Sequence, residues 1–284
     1  MLADIRYWEK IAQKHHFAIP HFNVWNVEML EGVMDASEQE NSPVIISFGT
    51  GFIHNTIFEE YAGMMVSMAK HSTLPVITHW DHGRSFDIVK NGYDYGMNSV
   101  MRDASKLPFE ENIAETKKVV DYFHPLNVGV EAELGHVADP NKYEKAMEDY
   151  QYTDPSVAKE FVDKTHCDSL AVAIGQVHGV YTSTPHLNFE VLEKVAKAVP
   201  VPLVLHGASG IPDEQVSKAV SMGICKVNIH TDLGIAAMKA ANAHSDQLYL
   251  EVQKYVREAI KDEAVHKIHV LGSQNKADLR LENY

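Results

Sequence analysis

The feature that most restricts the fold is an alternation, repeated along almost the whole chain, of short β-branched runs with longer amphipathic segments. Eight runs read as strands: Ala18–Val24, Pro43–Phe48, Pro75–Trp80, Ser99–Ala104, Asn127–Leu134, Ser169–Gly175, Pro202–Gly207 and Ile224–His230. Between them, Val27–Gln39, Phe58–Lys70, Glu110–Phe123, Pro155–Lys164, Phe189–Ala198 and Asp213–Met222 carry apolar residues at three-to-four spacing. Several of these open on a cap or a first-turn proline, as at Asp154-Pro155 and Pro212-Asp213. Eight βα units in about 230 residues predict a closed (β/α)8 TIM barrel, with a doubly wound open sheet as the runner-up. The chain is read as one domain over residues 1–284.

The position of the polar residues discriminates between these architectures, because a barrel gathers them at one mouth, at the C-terminal ends of many strands. Here the third run ends in Asp81-His82-Gly83, the fourth in Asp103-Ala104-Ser105 and the fifth in Glu131-Ala132-Glu133. The sixth leads into His178-Gly179, the seventh into His206-Gly207-Ala208-Ser209-Gly210 and the eighth into Asn228-Ile229-His230-Thr231. Of 17 histidines, most, such as His15, His16, His71, His124 and His266, read as surface or packing residues. His82, His178 and His206 differ in standing at a strand end beside a glycine, where the backbone leaves room for an imidazole to turn inward.

Three neutral imidazoles form a donor set that suits zinc and leaves a fourth position open, the pattern of a catalytic site. Cobalt, manganese or iron are chemically permissible, and zinc is the first choice. Asp81 adjoins His82, so both reach the mouth only if the chain turns there, which Gly83 permits. A carboxylate in that place exchanges protons at a reacting centre, and its bland alternative is a helix cap. The Gly207–Gly210 turn, with Asn228 and Thr231 on the next loop, suits a phosphate monoester bound by backbone N–H groups.

The composition bounds the partners. With 25 basic and 39 acidic residues the net charge is -14, which disfavours nucleic acid and anionic membrane. No stretch approaches the roughly 20 apolar residues of a membrane span, and the N-terminus lacks a signal-peptide core, so a cytoplasmic location is expected. The two cysteines, Cys167 and Cys225, lie in apolar contexts without CxxC spacing and read as buried thiols.

Several further stretches occur in order: Phe22-Asn23-Val24, Asn41-Ser42-Pro43-Val44-Ile45-Ile46, Leu107-Pro108-Phe109-Glu110-Glu111-Asn112-Ile113, Val130-Glu131-Ala132-Glu133-Leu134-Gly135, Tyr152-Thr153-Asp154-Pro155 and Pro202-Leu203-Val204-Leu205-His206. Together with Asp81-His82-Gly83 they make the chain resemble, from about Ile19 to Ala277, the class II metal-dependent fructose- and tagatose-bisphosphate aldolases. The resemblance implies that His82, His178 and His206 hold one Zn2+ and that Asp81 protonates the aldehyde oxygen during condensation. It implies that Gly179, Gly207, Ala208, Ser209, Asn228, Ile229, His230 and Thr231 bind the dihydroxyacetone-phosphate half, with a monovalent cation, Na+ or K+, nearby. In some members Asp103 and Glu133 match a second or transient metal position.

The implied reaction is reversible cleavage of a ketose 1,6-bisphosphate, tagatose or fructose, into dihydroxyacetone phosphate and an aldehyde through a zinc-stabilised enediolate. No Schiff-base lysine is required, so Lys226 is read as structural or electrostatic. A homodimer or homotetramer is expected by the same resemblance.

The chain departs from the family's pattern at Arg102, which must pair with a carboxylate or reach the rim, at Lys106 and at His230. The resemblance implies that the loop from Gly135 to Gln151 supplies the proton-abstracting acid; Glu144, Glu148 and Asp149 are the candidates, and the sequence does not choose among them. These departures leave open an aldolase for another phosphorylated ketose or ketoacid with a different aldehyde half. Two readings of other classes stand beside it: a barrel metallohydrolase and a non-catalytic subunit.

Overall fold

Eight short strands form the sheet: β1 (Ile19–Asn23), β2 (Val44–Gly49), β3 (Val76–Gly83), β4 (Ser99–Arg102), β5 (Gly129–Leu134), β6 (Ser169–Val172), β7 (Leu203–Leu205) and β8 (Ile224–Ile229). Each pairs in parallel with the next and β1 pairs with β8, closing the barrel in the computed structural model. Residues 2–54, 56–135, 137, 147 and 150–281 are described. The open-sheet alternative is therefore set aside.

Among the described residues the helices are α1 (Ile5–His15), α2 (Val27–Glu40), α3 (Phe58–His71), α4 (Phe86–Asp94), α5 (Phe109–Phe123), α6 (Pro155–Thr165), α7 (Phe189–Ala198), α8 (Asp213–Ser221), α9 (Thr231–Ala243) and α10 (Tyr249–Val270). Their starts follow local chemistry: the side chains of Asn26, Ser85, Asp154 and Asn188 accept first-turn N–H groups of α2, α4, α6 and α7. No helix among the described residues is long and apolar enough to cross a membrane.

Strand residues alternate between two environments. One set packs outward against the helices in the large core, including Phe22, Ile46, Val100, Val130, Leu170 and Val227. The other set faces the barrel axis in layers. At the floor, Ile19, Ile45, Ile77 and Cys225 meet Ile5, Trp8, Ile11 and Ala12 of α1, which closes that end. Above them the interior becomes polar: His21, Asn23, Ser47, His79, Asp81, Glu131, Glu133, Lys226 and Asn228 are all buried. A barrel interior is normally dominated by branched apolar side chains, so this polar layer marks the end that carries the chemistry. Cys167 and Cys225 are free and buried, as expected.

The sequence expectation runs three strands too long. β4 ends at Arg102, β6 at Val172 and β7 at Leu205, and beyond β6 side chains replace the sheet ladder. Thr153 Oγ1 takes the amide of Ala173 (2.8 Å) and Gln176 Oε1 that of Ile174 (2.8 Å).

Arg102 faces the helices, as its alternation with Asp103 requires. Its guanidinium donates to Glu115 Oε2 of α5 (3.1 Å) and to the carbonyls of Gly83 (3.3 Å) and Asp103 (2.6 Å), so it is tied down behind the sheet and does not reach the mouth. Glu115 keeps over a third of its side chain exposed. Removing the arginine therefore strands no buried charge, whereas removing the glutamate does. We expect Arg102→Leu to leave activity and stability nearly unchanged, and Glu115→Ala to lower stability by about 1–3 kcal/mol, both read by urea denaturation.

Candidate functional site

At the C-terminal mouth lies a cavity of about 270 Å³, lined among others by Asn23, Asp81, His82, Asp103, Glu133, His178, Gly179, Gly207, Ser209, Asn228, His230 and Thr231. Two of its histidines converge with the fully buried His206: one ring nitrogen each from His82, His178 and His206 lie within 4.8 Å of one another. His82 Nε2 and His206 Nδ1 face each other at 3.0 Å, and His178 Nε2 is buried with no hydrogen-bond partner among the described residues. Ring nitrogens turned toward one another, one of them orphaned, are what a shared cation would satisfy, and three imidazoles suit zinc.

The turn that brings His82 inward is made differently from the sequence expectation. His82 itself is left-handed, at φ 52°, and the β3–β4 register shifts between Trp80 and Gly83. Gly83 serves another purpose: a Cβ there would lie 2.3 Å from Val89 Cγ2 and 2.7 Å from the Met101 carbonyl. The strained turn lets the neighbours Asp81 and His82 share one cavity.

The other ring nitrogens of His82 and His206 are held by carboxylates, which fixes ring orientation. Asp103 Oδ2 lies 3.1 Å from His82 Nδ1, and Ser105 donates to Asp103 Oδ1 from its amide (3.2 Å) and hydroxyl (2.8 Å). Glu131 Oε1 lies 2.8 Å from His206 Nε2, while its Oε2 meets Lys226 Nζ at 2.6 Å. Lys226 is fully buried and also donates to Asn228 Oδ1 (2.9 Å), which makes it the electrostatic element expected of it. His82, Asp103 and Glu133 also lie close enough to share a cation, but Asp103 is engaged with His82 and Ser105.

Asp81 caps no helix; Ser85 caps α4. Its Oδ1 accepts from Asn228 Nδ2 (3.2 Å) and its Oδ2 from Asn23 Nδ2 (2.9 Å), leaving the carboxylate oriented at the cavity wall. Burial opposes its charge, but the neighbouring cationic groups, His82 first, hold the carboxyl well below its ordinary range. Burial also opposes charge on His82, yet Asp81, the Asp103 hydrogen bond and Glu133 raise it to about 10. Glu133 is pushed up to about 8 by burial and then by Asp103, and burial keeps His178 well below its usual value.

Of the expected phosphate-binding residues, Gly179, Gly207, Ser209, Asn228, His230 and Thr231 reach the cavity. The side chains of Ala208 and Ile229 are instead in the hydrophobic core, so only their backbone groups are available. Ser209 Oγ accepts from the amides of His230 and Asp232 (both 3.2 Å), at the N-terminus of α9. His230 is wedged between Trp25 and Phe52, with ring centroids 4.8 and 4.7 Å away. Glu144, Glu148 and Asp149 lie outside the described residues. Sequence reading assigned no role to Asn23, Glu131, His21, Ser47 or His79. The available signal was the polar residue at every second position of β1, β3 and β5, which in a barrel marks the interior.

In the metal-free protein His82 and Glu133 both have raised pKa values, so folding takes up protons at each. Their stabilisation is complete below the unfolded values of 6.5 and 4.5 and is lost as pH rises through about 8 for Glu133 and about 10 for His82. A metal ion replacing the His82 proton removes that group's loss. Melting temperatures of chelated and zinc-loaded protein between pH 7 and pH 10 should therefore diverge, the chelated form falling more steeply; parallel curves would refute the assignment.

The family model described as fructose-bisphosphate aldolase class-II matches residues 4–276. A protein of Escherichia coli K12, named only as uncharacterized protein YdjI, is 61% identical over 278 residues, covering 98% of this chain and 100% of the relative. A crystal structure described as the YdjI aldolase of the same organism superposes with a TM-score of 0.90 at 57% identity, over 98% of this chain and 100% of that one. A fructose-bisphosphate aldolase of Staphylococcus aureus is 39% identical over 276 residues, covering 94% and 96%. The chain belongs to the class II fructose-bisphosphate aldolase family, which is generally zinc-dependent, and is an aldolase, a carbon–carbon lyase.

Proposed function

We propose that the protein cleaves a ketose 1,6-bisphosphate, tagatose or fructose, reversibly into dihydroxyacetone phosphate and an aldehyde. His82, His178 and His206 would hold one zinc ion. The observation that carries this reading is the convergence of those three imidazoles beside an Asp81 carboxylate oriented by Asn23 and Asn228 at the wall of one cavity. When bound, the zinc ion would polarise the donor carbonyl and stabilise the negative charge that develops on the donor oxygens.

The chain's own groups supply the rest. Backbone N–H groups around Gly179, Gly207–Ser209 and the start of α9 at Thr231 suit the phosphate of the donor half. A monovalent cation, Na+ or K+, belongs to the same side of the site. Asp81 carries the proton at the aldehyde oxygen, giving it in condensation and accepting it from the hydroxyl in cleavage. Glu144, Glu148 or Asp149 abstracts the proton on the donor carbon. Asp103 and Glu133 serve His82 as orienting and charge-balancing groups, or a transient second metal.

The aldehyde half meets a mixed wall: Arg84 and Lys106 would favour a second phosphate, whereas Phe52 and His230 present ring faces to a carbon chain. A homodimer or homotetramer is part of the proposal, supported by Ile235 and Met238 of α9 and Leu248, Tyr249 and Leu250 at and before the start of α10, all more than half exposed. So is a cytoplasmic location, where sugar phosphates are made and used.

Cleavage of tagatose and fructose 1,6-bisphosphates, followed with and without a chelator and after zinc is restored, tests the reading. We expect chelator-sensitive formation of dihydroxyacetone phosphate, recovered with zinc. Release of inorganic phosphate instead would favour a metallohydrolase. Condensation of dihydroxyacetone phosphate with other aldehydes, phosphorylated and not, in the absence of cleavage of either bisphosphate would reassign the aldehyde half.

A further inference from the structure

Beneath the cavity, one buried group has no place in the chemistry above. His21 of β1 is fully buried, and its Nε2 is hydrogen-bonded to Ser47 Oγ of β2. The same Ser47 Oγ accepts from Asn23 Nδ2 (2.8 Å), and that amide also donates to Asp81 Oδ2 (2.9 Å). A hydroxyl that accepts from Asn23 has one proton left to give, and the His21 ring is there to take it. Asp81 is thus held from two sides: by Asn228, which Lys226 and Glu131 orient from below, and by Asn23, which Ser47 and His21 orient from below.

His21, His79 and Asp81 also offer ligand atoms within 4.8 Å of one another. A cation there is disfavoured, because the Lys226 ammonium acts on both rings and the cation would remove Asp81 from its proton-carrying position. His21 lies 3.9 Å from Asp81 Oδ2, too far for a direct hydrogen bond, so its hydrogen-bonded hold on the orientation of Asp81 passes through Ser47 and Asn23. The carboxylate has no covalent freedom beyond its side-chain torsions, and two amide donors fix it only if each amide is itself fixed.

We infer that His21 is a positioning residue for the carbon–carbon bond-breaking step, setting the orientation of Asp81 through Ser47 and Asn23. The inference rests on the proposed aldolase reaction. In cleavage the hydroxyl proton goes to Asp81, the carbon–carbon bond breaks, and its electron pair passes to the donor carbon. Exchange of the donor's carbon-bound hydrogen with solvent involves the loop acid and the donor oxygens but not Asp81. A defect confined to Asp81 therefore slows cleavage and spares exchange.

The experiment compares zinc-loaded wild-type protein with His21→Leu, which fills the volume without a polar atom, with His21→Gln, which can restore a polar contact to Ser47, and with Ser47→Ala. Zinc content, bisphosphate cleavage, and deuterium exchange into dihydroxyacetone phosphate in D2O are measured on each. We expect His21→Leu and Ser47→Ala to lose kcat for cleavage by on the order of tenfold to a hundredfold, with KM, bound zinc and exchange within about twofold of wild type. His21→Gln should recover most of the lost kcat. Equal loss of cleavage and exchange, loss of zinc, or undiminished cleavage in His21→Leu and Ser47→Ala would overturn the inference. A wild-type protein that neither exchanges nor cleaves would refute the aldolase reading, and the inference with it.

Discussion

One buried carboxylate, Glu131, holds the interior of the barrel together. It stands between an imidazole, His206, and an ammonium, Lys226, all three fully buried. An ammonium alone in that interior would carry a large desolvation cost, and a lone carboxylate would as well. The set is tolerable because each oxygen of Glu131 has its own partner, and the charge of Lys226, then the hydrogen bond to His206, hold the carboxyl below its ordinary range against burial. From this point the order propagates upward: Lys226 orients Asn228, Asn228 orients Asp81, and His206 presents Nδ1 toward His82. Glu9 of α1 enters the floor nearby, where burial, and then the charge of Glu131, raises its carboxyl well above the usual range. The barrel thus concentrates its buried charge in one network that faces the mouth.

The same network explains why the site suits a dication. Asp81, Asp103, Glu131 and Glu133 surround three histidines, and Lys226 is the fully buried ammonium among them. Without a metal, the surrounding carboxylates favour a proton on His82, and burial followed by the charge of Asp103 favours one on Glu133. A metal ion bound there would supply the positive charge in place of protons, with the ring nitrogens of His82, His178 and His206 as its donors.

Much of this was legible in the sequence, and the illegible part has a common cause. The strands showed themselves through β-branched runs and the mouth through polar strand ends, so His82, His178, His206 and Asp81 were accessible to reading. The alternating polar residues of β1 and β3 offered His21 and His79, but β2 carries Ser47 among apolar residues on both faces, so only sheet register assigns Ser47 to the interior. The His82 turn was credited to the adjacent glycine, since a left-handed histidine is not signalled by residue type. Ala208 and Ile229 were taken with their loop neighbours although their side chains belong to the core. Arg102 was read as needing a carboxylate, but the partner, Glu115 on α5, is supplied by helix packing that spacing alone does not specify.

The central claim is that three histidines, one on β3 and two beyond the ends of β6 and β7, hold one catalytic metal. X-ray absorption spectroscopy of the zinc-loaded protein tests it directly, alone and with dihydroxyacetone phosphate. The account predicts one zinc per chain with three imidazole nitrogens at about 2.0–2.1 Å and an oxygen in the open position that changes when the donor is added. A sulfur scatterer at about 2.3 Å, or a zinc shell unaffected by the donor, would contradict it.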